Sequence, residues 1–122
     1  MATHNILIVD DEEEICDYLK EIIEETGEYN IKLAYCGEEV EKAIGEDEID
    51  IAFVDLKMST AMSGIDVIKY LKERFPDIKI TSMTGYVDAG LMHQVQDLGI
   101  VEFMEKPMTP KVIFAILEKL LK

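Results

Sequence analysis

The stretch Ile51-Ala52-Phe53-Val54-Asp55 decides the fold of this 122-residue chain. Four consecutive apolar residues followed by a carboxylate are typical of a parallel strand that helices cover on both faces. A second run of the same kind, Ile6-Leu7-Ile8-Val9, is followed by Asp10 and Asp11. Because ligands bind at the carboxyl ends of the strands in such sheets, the sequence places three carboxylates where a ligand site is expected.

Strand and helix patterns alternate five times along the chain. The predicted strands are residues 6–9, 30–35, 50–54, 78–83 and 101–104, and the predicted helices are residues 13–26, 38–44, a segment capped by Ser63 that ends near Phe75, 88–98 and 111–121. Right-handed crossovers between five such units allow few topologies. We therefore predict one α/β domain over residues 1–122, a flavodoxin-like doubly wound (βα)5 fold whose parallel five-stranded sheet has the order 2-1-3-4-5.

The predicted strand order makes strands one and three neighbours, so Asp10, Asp11 and Asp55 are expected to share one pocket. Carboxylates at close range repel one another, which raises a pKa or requires a cation. Oxygen donors in an open site favour Mg²⁺. Thr84 and Lys106 follow strands four and five, and a hydroxyl and an ammonium that face a carboxylate and a metal would form a cage for a phosphoryl group.

Each of these residues also has an ordinary explanation. The acidic run from residue 10 to residue 14 is compatible with a solvated helix start, where the helix dipole favours carboxylates. Thr84 could be a turn residue, and Lys106 could be a surface lysine before a proline. The prediction of a site therefore depends on the joint placement of these residues after the strands.

The net charge of −14 comes from the first half of the chain. Residues 1–61 contain 18 acidic and 4 basic side chains, whereas residues 62–122 contain 8 of each. This balance argues against direct nucleic-acid binding by the domain.

No apolar run approaches the roughly 20 residues of a membrane span, and no secretory signal is visible. Two cysteines without CxxC spacing are typical of reduced thiols, so we expect a cytoplasmic protein without membrane contact.

Four motifs together resemble the receiver domain of two-component response regulators, and the resemblance covers essentially the whole chain. They are Val9-Asp10-Asp11-Glu12, Asp55-Leu56-Lys57-Met58, Met83-Thr84-Gly85-Tyr86 and Lys106-Pro107. The resemblance implies a phosphoacceptor signalling module that catalyses only its own phosphorylation and dephosphorylation and is not an enzyme acting on other substrates.

The resemblance also implies roles for individual residues. Asp55 would accept a phosphoryl group from the phosphohistidine of a sensor histidine kinase or a phosphotransfer protein. Asp11 and Asp55 would bind Mg²⁺ through their side chains and Lys57 through its backbone carbonyl, while Asp10 would act through water.

Three further roles concern the switch that such domains use. Thr84 resembles the hydroxyl that moves toward the phosphoryl group, and Lys106 resembles the amine that pairs with it. Phe103 matches the aromatic rotamer switch, on an output face formed by helix four, strand five and helix five. A downstream protein target or an effector domain would read this face, and a phosphorylation-dependent dimer is compatible with it. The family commonly has a cis peptide bond at Lys106-Pro107.

Two positions depart from the family pattern. The loop at residues 58–64 lacks the usual proline after the methionine and is one residue longer, which predicts a looser rim of the pocket. Gly85 replaces the more frequent alanine after the switch threonine, and little loss of access is expected from it.

Three other functions fit the sequence less well. Two of them need residues that this chain lacks, and proteins with the third usually lack residues that this chain has. A phosphohydrolase of the haloacid dehalogenase type carries a second acid where Lys57 stands. A flavodoxin-like cofactor carrier needs a glycine- and hydroxyl-rich loop after strand one, where this chain has acidic residues. A pseudo-receiver that acts as an interaction scaffold usually lacks an acid, the threonine or the lysine, and it remains the alternative function.

Overall fold

The apolar runs form one sheet in the computed structural model, which describes residues 4–58, 61–85, 88–100 and 102–121. The strands are β1 (His4–Val9), β2 (Tyr29–Ala34), β3 (Ile51–Asp55), β4 (Lys79–Thr84) and β5 (Glu102–Glu105). The helices are α1 (Glu13–Glu24), α2 (Val40–Ile44, preceded by a 3-10 turn at Gly37–Glu39), α3 (Gly64–Arg74), α4 (Ala89–Asp97) and α5 (Pro110–Leu121).

All neighbouring strands are parallel and follow the order β2-β1-β3-β4-β5. This confirms the predicted flavodoxin-like α/β fold. The two faces of β3 show why its apolar residues run without interruption. Ala52 and Val54 pack with α2, α3 and α4, whereas Ile51 and Phe53 pack with α1 and α5. Burial on both faces leaves no position in this strand for a polar side chain until its carboxyl end.

The observed elements differ from the predicted ones by at most two residues at their ends. Helix α1 stops at Glu24 rather than at residue 26, because the Thr26 hydroxyl donates a 2.8 Å hydrogen bond to the Ile23 carbonyl and Gly27 adopts a φ of 72°. Strands β2 and β4 are shifted by one residue relative to the prediction. The predicted first residue of strand five, Val101, lies outside the described residues.

Side-chain caps fix where α3 and α5 begin, on the side of the sheet that carries the acidic residues. Ser63 accepts a hydrogen bond from the Asp66 backbone N–H, and Asp66 accepts one from the Ser63 N–H, which makes a complete capping box. Thr109 accepts a 3.3 Å hydrogen bond from the Val112 N–H. The cap predicted at Ser63 is confirmed, and the two caps set the lengths of the loops after β3 and β5.

Because of the strand order, the acidic half of the sequence forms one side of the sheet and the neutral half forms the other. The acidic first half supplies β2, β1 and β3, and the neutral second half supplies β4 and β5. Among the described residues, no helix is long and apolar enough to cross a membrane.

Candidate functional site

Three aspartates meet at the carboxyl ends of β1 and β3. Asp10 and Asp55 are buried and Asp11 is half-buried, and one carboxylate oxygen from each lies within 4.8 Å of the others. The pairing of Val9 with Val54 in adjacent strands puts the residues that follow them side by side. The predicted convergence of the three carboxylates is therefore observed.

Backbone hydrogen bonds hold the two buried carboxylates in place. Asp10 Oδ1 accepts a 2.9 Å hydrogen bond from the N–H of Glu12, and Asp55 Oδ1 accepts a 3.1 Å hydrogen bond from the N–H of Lys57. The Leu56 N–H donates to the Met83 carbonyl at 2.9 Å, which ties the residue after Asp55 to β4. Each aspartate thus uses one oxygen for its own loop and directs the other into the site.

The ammonium of Lys106 lies among these carboxylates. Its Nζ is 2.7 Å from Asp10 Oδ2, 3.3 Å from Asp55 Oδ2 and 3.2 Å from Glu12 Oε1. The contact with Asp10 is the shortest of the three, and the Asp10 side chain is fully buried. The peptide bond Lys106-Pro107 is cis, as the family resemblance implied.

The contact between Glu12 and Lys106 was not predicted from the sequence. Glu12 stands directly after the aspartate pair and its carboxylate reaches Lys106 from the solvent side. Its place in an acidic run was the available signal, but the neighbouring Glu13 and Glu14 carry the same signal. Sequence alone therefore does not indicate which of the three glutamates meets the lysine.

The charges at the site perturb the pKa values of two groups. Burial, reinforced by the charge of Asp10, raises the pKa of Asp55 from 3.8 to about 6, although Lys106 and the Lys57 N–H act in the opposite direction. Burial lowers the pKa of Lys106, but the nearby carboxylates of Asp10 and Asp55 outweigh this and leave it above its ordinary value. The lysine is therefore a permanent cation, and burial beside Asp10 brings the pKa of Asp55 closer to neutral pH.

The donor atoms at this site fit a hard divalent cation. One carboxylate oxygen from each of the three aspartates lies within 4.8 Å of the others, and the buried Asp10 Oδ2 already attracts one cation, the Lys106 ammonium. Oxygen-only donors with room for water are the ligands that Mg²⁺ prefers.

The remaining predicted site residues lie on β4 and β5. Thr84 is buried at the end of β4, next to Glu105 in the register of the sheet. Phe103 is 42% exposed on β5, where it stands opposite Ser82. A Cβ at Gly85 would lie 4.0 Å from the Lys106 side chain, an ordinary contact, so alanine would also fit at this position.

The loop after β3 is packed at both of its described ends. A Cβ at Gly37 would lie 2.6 Å from Met62 Cβ and Cγ, so Met62 is seated directly on this glycine. A Cβ at Gly64 would lie 2.2 Å from the Asp55 carbonyl oxygen. The centre of the loop, Ser59 and Thr60, lies outside the described residues, and a looser rim stays a prediction for that part.

Comparison with known proteins gives consistent results. The family model described as "Response regulator receiver domain" matches residues 6–118. The response regulator SaeR of Staphylococcus epidermidis is 33% identical over 109 residues, which are 89% of this chain and 46% of SaeR. The transcriptional regulatory protein ZraR of Escherichia coli K12 is 30% identical over 117 residues, which are 96% of this chain and 26% of ZraR. The chain thus spans less than half the length of these curated relatives.

Two solved structures are also similar. A CheY-like receiver domain protein from Methanospirillum hungatei JF-1 has a TM-score of 0.87 and 28% identity, covering 98% of this chain and 94% of that one. A response regulator from Burkholderia pseudomallei, solved with a phosphorylated aspartic acid, a calcium ion and citrate, has a TM-score of 0.83 and 28% identity, covering 93% of this chain and 65% of that one. The family match, the fold and the four motifs agree, and the chain belongs to the response regulator receiver domain family of two-component systems.

Proposed function

We propose that Asp55 is the phosphoacceptor of this receiver domain. The observation that carries the proposal is that a buried carboxylate with a raised pKa lies 3.3 Å from a lysine ammonium and within 4.8 Å of two further aspartates. A carboxylate oxygen of Asp55 attacks the phosphorus of a phosphohistidine. The bond between phosphorus and the imidazole nitrogen breaks, its electron pair returns to the histidine, and an acyl phosphate forms on Asp55.

Positive charge must offset the phosphoryl oxygens that enter this acidic site. Mg²⁺, held by the side chains of Asp11 and Asp55 and the backbone carbonyl of Lys57, with Asp10 acting through water, would supply part of that charge. Lys106 supplies the rest from within the chain, and its position beside Asp55 lets it pair with the phosphoryl group once the group has been transferred.

The proposed readout runs from Asp55 to the surface through two residues. The hydroxyl of Thr84 moves toward the phosphoryl group, and the side chain of Phe103 changes its rotamer on the α4-β5-α5 face. The exposure of Phe103 supports this, because an aromatic ring at the surface of β5 can lose area to a buried rotamer. A phosphorylation-dependent dimer or an effector domain would use the same face.

The proposed partners follow from this chemistry. A sensor histidine kinase or a phosphotransfer protein donates the phosphoryl group in the cytoplasm, and a protein target or an effector domain reads the output face. The domain turns over no external metabolite, since its only reactions are its own phosphorylation and dephosphorylation. The phosphorylated aspartic acid described for the Burkholderia pseudomallei relative supports the assignment.

Intact-mass measurement after incubation with acetyl phosphate and Mg²⁺ tests the proposal. One added phosphoryl group is expected on the unaltered chain, and none on Asp55→Asn or in a sample treated with EDTA. Asp97→Asn is a matched control, since this aspartate is exposed and ends α4, the helix that leads from the end of β4 back to the start of β5. A mass gain that survives Asp55→Asn, or no gain on the unaltered chain, would refute the assignment and favour the scaffold alternative.

A further inference from the structure

Lys106 contacts two kinds of carboxylate at once. Asp10 and Asp55 are buried, and they are the carboxylates that the proposed phosphorylation chemistry needs. Glu12 is different, because its side chain is 62% exposed and it meets the same ammonium at 3.2 Å from the solvent side. The Lys106 side chain itself is only 11% exposed. The lysine thus lies at the boundary between the aspartates and the rim.

The contacts of Lys106 with Asp10 and Asp55 cannot both persist when a divalent cation binds these carboxylates. The ammonium lies 2.7 Å from Asp10 Oδ2 and 3.3 Å from Asp55 Oδ2, where it neutralises the oxygens that a divalent cation would also require. A largely buried ammonium that loses its carboxylate partners is costly unless another partner is at hand. The carboxylate of Glu12 is already in contact and takes no part in the aspartate cluster.

Backbone hydrogen bonds hold Glu12 beside Lys106, where it can replace the aspartates as the partner of the ammonium. Its N–H donates a 2.9 Å hydrogen bond to Asp10 Oδ1, and its carbonyl accepts hydrogen bonds from Ile15 and Cys16 in the first turn of α1. The residue is therefore fixed to the aspartate loop on one side and to a helix on the other. Its side chain is presented at the rim by ordered backbone and does not depend on a free loop.

We propose that Glu12 is a positioning residue for Lys106. Its carboxylate holds the Lys106 ammonium at the rim of the site when Asp10 and Asp55 interact with a divalent cation instead of the lysine. This inference rests on the proposed function and deepens it. Glu12 touches neither the phosphoryl group nor the cation in this role and acts only through the lysine. Without its carboxylate, the lysine stays with the aspartates and competes with the cation for them.

The dissociation constant of Mg²⁺, measured by calorimetry at low ionic strength, tests this role without any phosphoryl transfer. Glu12→Gln is compared with Glu14→Gln, which removes the same charge from an exposed position in the same acidic run. Both changes weaken the general attraction for a cation. Glu12→Gln is expected to weaken Mg²⁺ binding about threefold more than Glu14→Gln, the scale of one partly exposed ion pair.

The same pair of changes is then made in a Lys106→Met background. With the ammonium gone, Glu12 has nothing to position, so Glu12→Gln and Glu14→Gln are expected to have equal effects. Circular dichroism melting checks that each variant is folded, and Lys106→Gln supplies a second background without the ammonium.

Each outcome decides a different question. Equal effects of the two glutamate changes in the unaltered background, or a difference that persists without Lys106, would overturn the role of Glu12 and leave the phosphoacceptor proposal intact. An unaltered chain that binds no Mg²⁺ would overturn both. Mg²⁺ binding with the expected difference, but without phosphorylation of Asp55, would overturn the phosphoacceptor proposal alone.

Discussion

The backbone N–H of Lys106 donates a 2.7 Å hydrogen bond to the carbonyl oxygen of Thr84. The bond joins the end of β4 to the residue that follows β5, so the proposed switch hydroxyl and the ammonium belong to one connected piece of backbone. Phe103 lies on β5, three residues before Lys106. A displacement of Thr84 toward Asp55 would therefore reach β5 through this hydrogen bond as well as through packing.

The raised pKa of Asp55 predicts that Asp55→Asn stabilises the metal-free protein. The folded state binds more protons than the unfolded state between pH 3.8 and about 6, so stability is lost as the pH rises through this window. Asparagine cannot ionise and avoids the loss. In EDTA at about pH 7.5, urea unfolding is expected to show a gain of about 3 kcal/mol, and about half of that near pH 5.

Mg²⁺ provides the control for this prediction. The cation binds the ionised aspartate better than the amide, so the gain is expected to shrink or reverse when Mg²⁺ replaces EDTA. A variant that is less stable than the unaltered chain at neutral pH in EDTA would contradict the raised pKa.

Removal of the ammonium should have the opposite effect. Lys106→Met leaves the clustered carboxylates of Asp10, Asp11 and Asp55 without their neighbouring cation, and about 3 kcal/mol of unfolding free energy is expected to be lost in EDTA. Mg²⁺ should restore part of it. Lys111→Met, at an exposed position in the first turn of α5, is the matched control and should change stability by less than about 0.5 kcal/mol. Equal losses for the two variants would show that the ion pairs contribute little.

Gly64 is expected to tolerate no side chain. A Cβ there would lie 2.2 Å from the Asp55 carbonyl oxygen and 2.7 Å from Leu56 Cα, and both are backbone atoms that can move only with the site. Thermal melting of Gly64→Ala should show a loss of about 3 kcal/mol or more. Gly85→Ala, whose Cβ meets only ordinary contacts, should stay within about 0.5 kcal/mol. A well-folded Gly64→Ala of unchanged stability would mean that the loop is not held against Asp55.

The contact between Gly37 and Met62 can be tested by comparing two single variants with the double variant. Gly37→Ala should destabilise the protein by about 2 kcal/mol, because the new Cβ would overlap the Met62 side chain. Adding Met62→Gly removes the overlapping atoms, so the double variant should lose less than the two single changes added together. Additive losses, measured by urea unfolding, would show that the two residues do not share a contact.

The sequence was sufficient to predict where the candidate residues at the strand ends lie. Asp10 and Asp55 stand at the ends of apolar runs, and Thr84 and Lys106 stand at the ends of the more polar fourth and fifth strands. Parallel strands bring their carboxyl ends to one edge regardless of loop details. The fold followed from the same alternation of elements. The ends of helices were less predictable, because the last turn of α1 depends on a single hydroxyl, that of Thr26.

Contacts between distant side chains could not be read from the pattern. Glu12 and Lys106 are 94 positions apart, and their contact depends on the reach of two long side chains across the site. The seating of Met62 on Gly37 likewise requires the loop after β3 to cross toward the turn after β2. Both contacts arise only once the sheet is assembled.

The division of charge across the sheet has a consequence at a distance. One side of the molecule is strongly acidic and the other is neutral, so the protein has a permanent electric dipole that runs across its strands. A charged partner exerts a torque on such a molecule before any surfaces touch and turns it toward a preferred orientation. This orienting effect extends over about 10 Å at 0.1 M salt and shrinks as salt is added. The rate at which partners meet this domain should therefore depend on ionic strength even where their final contacts are apolar.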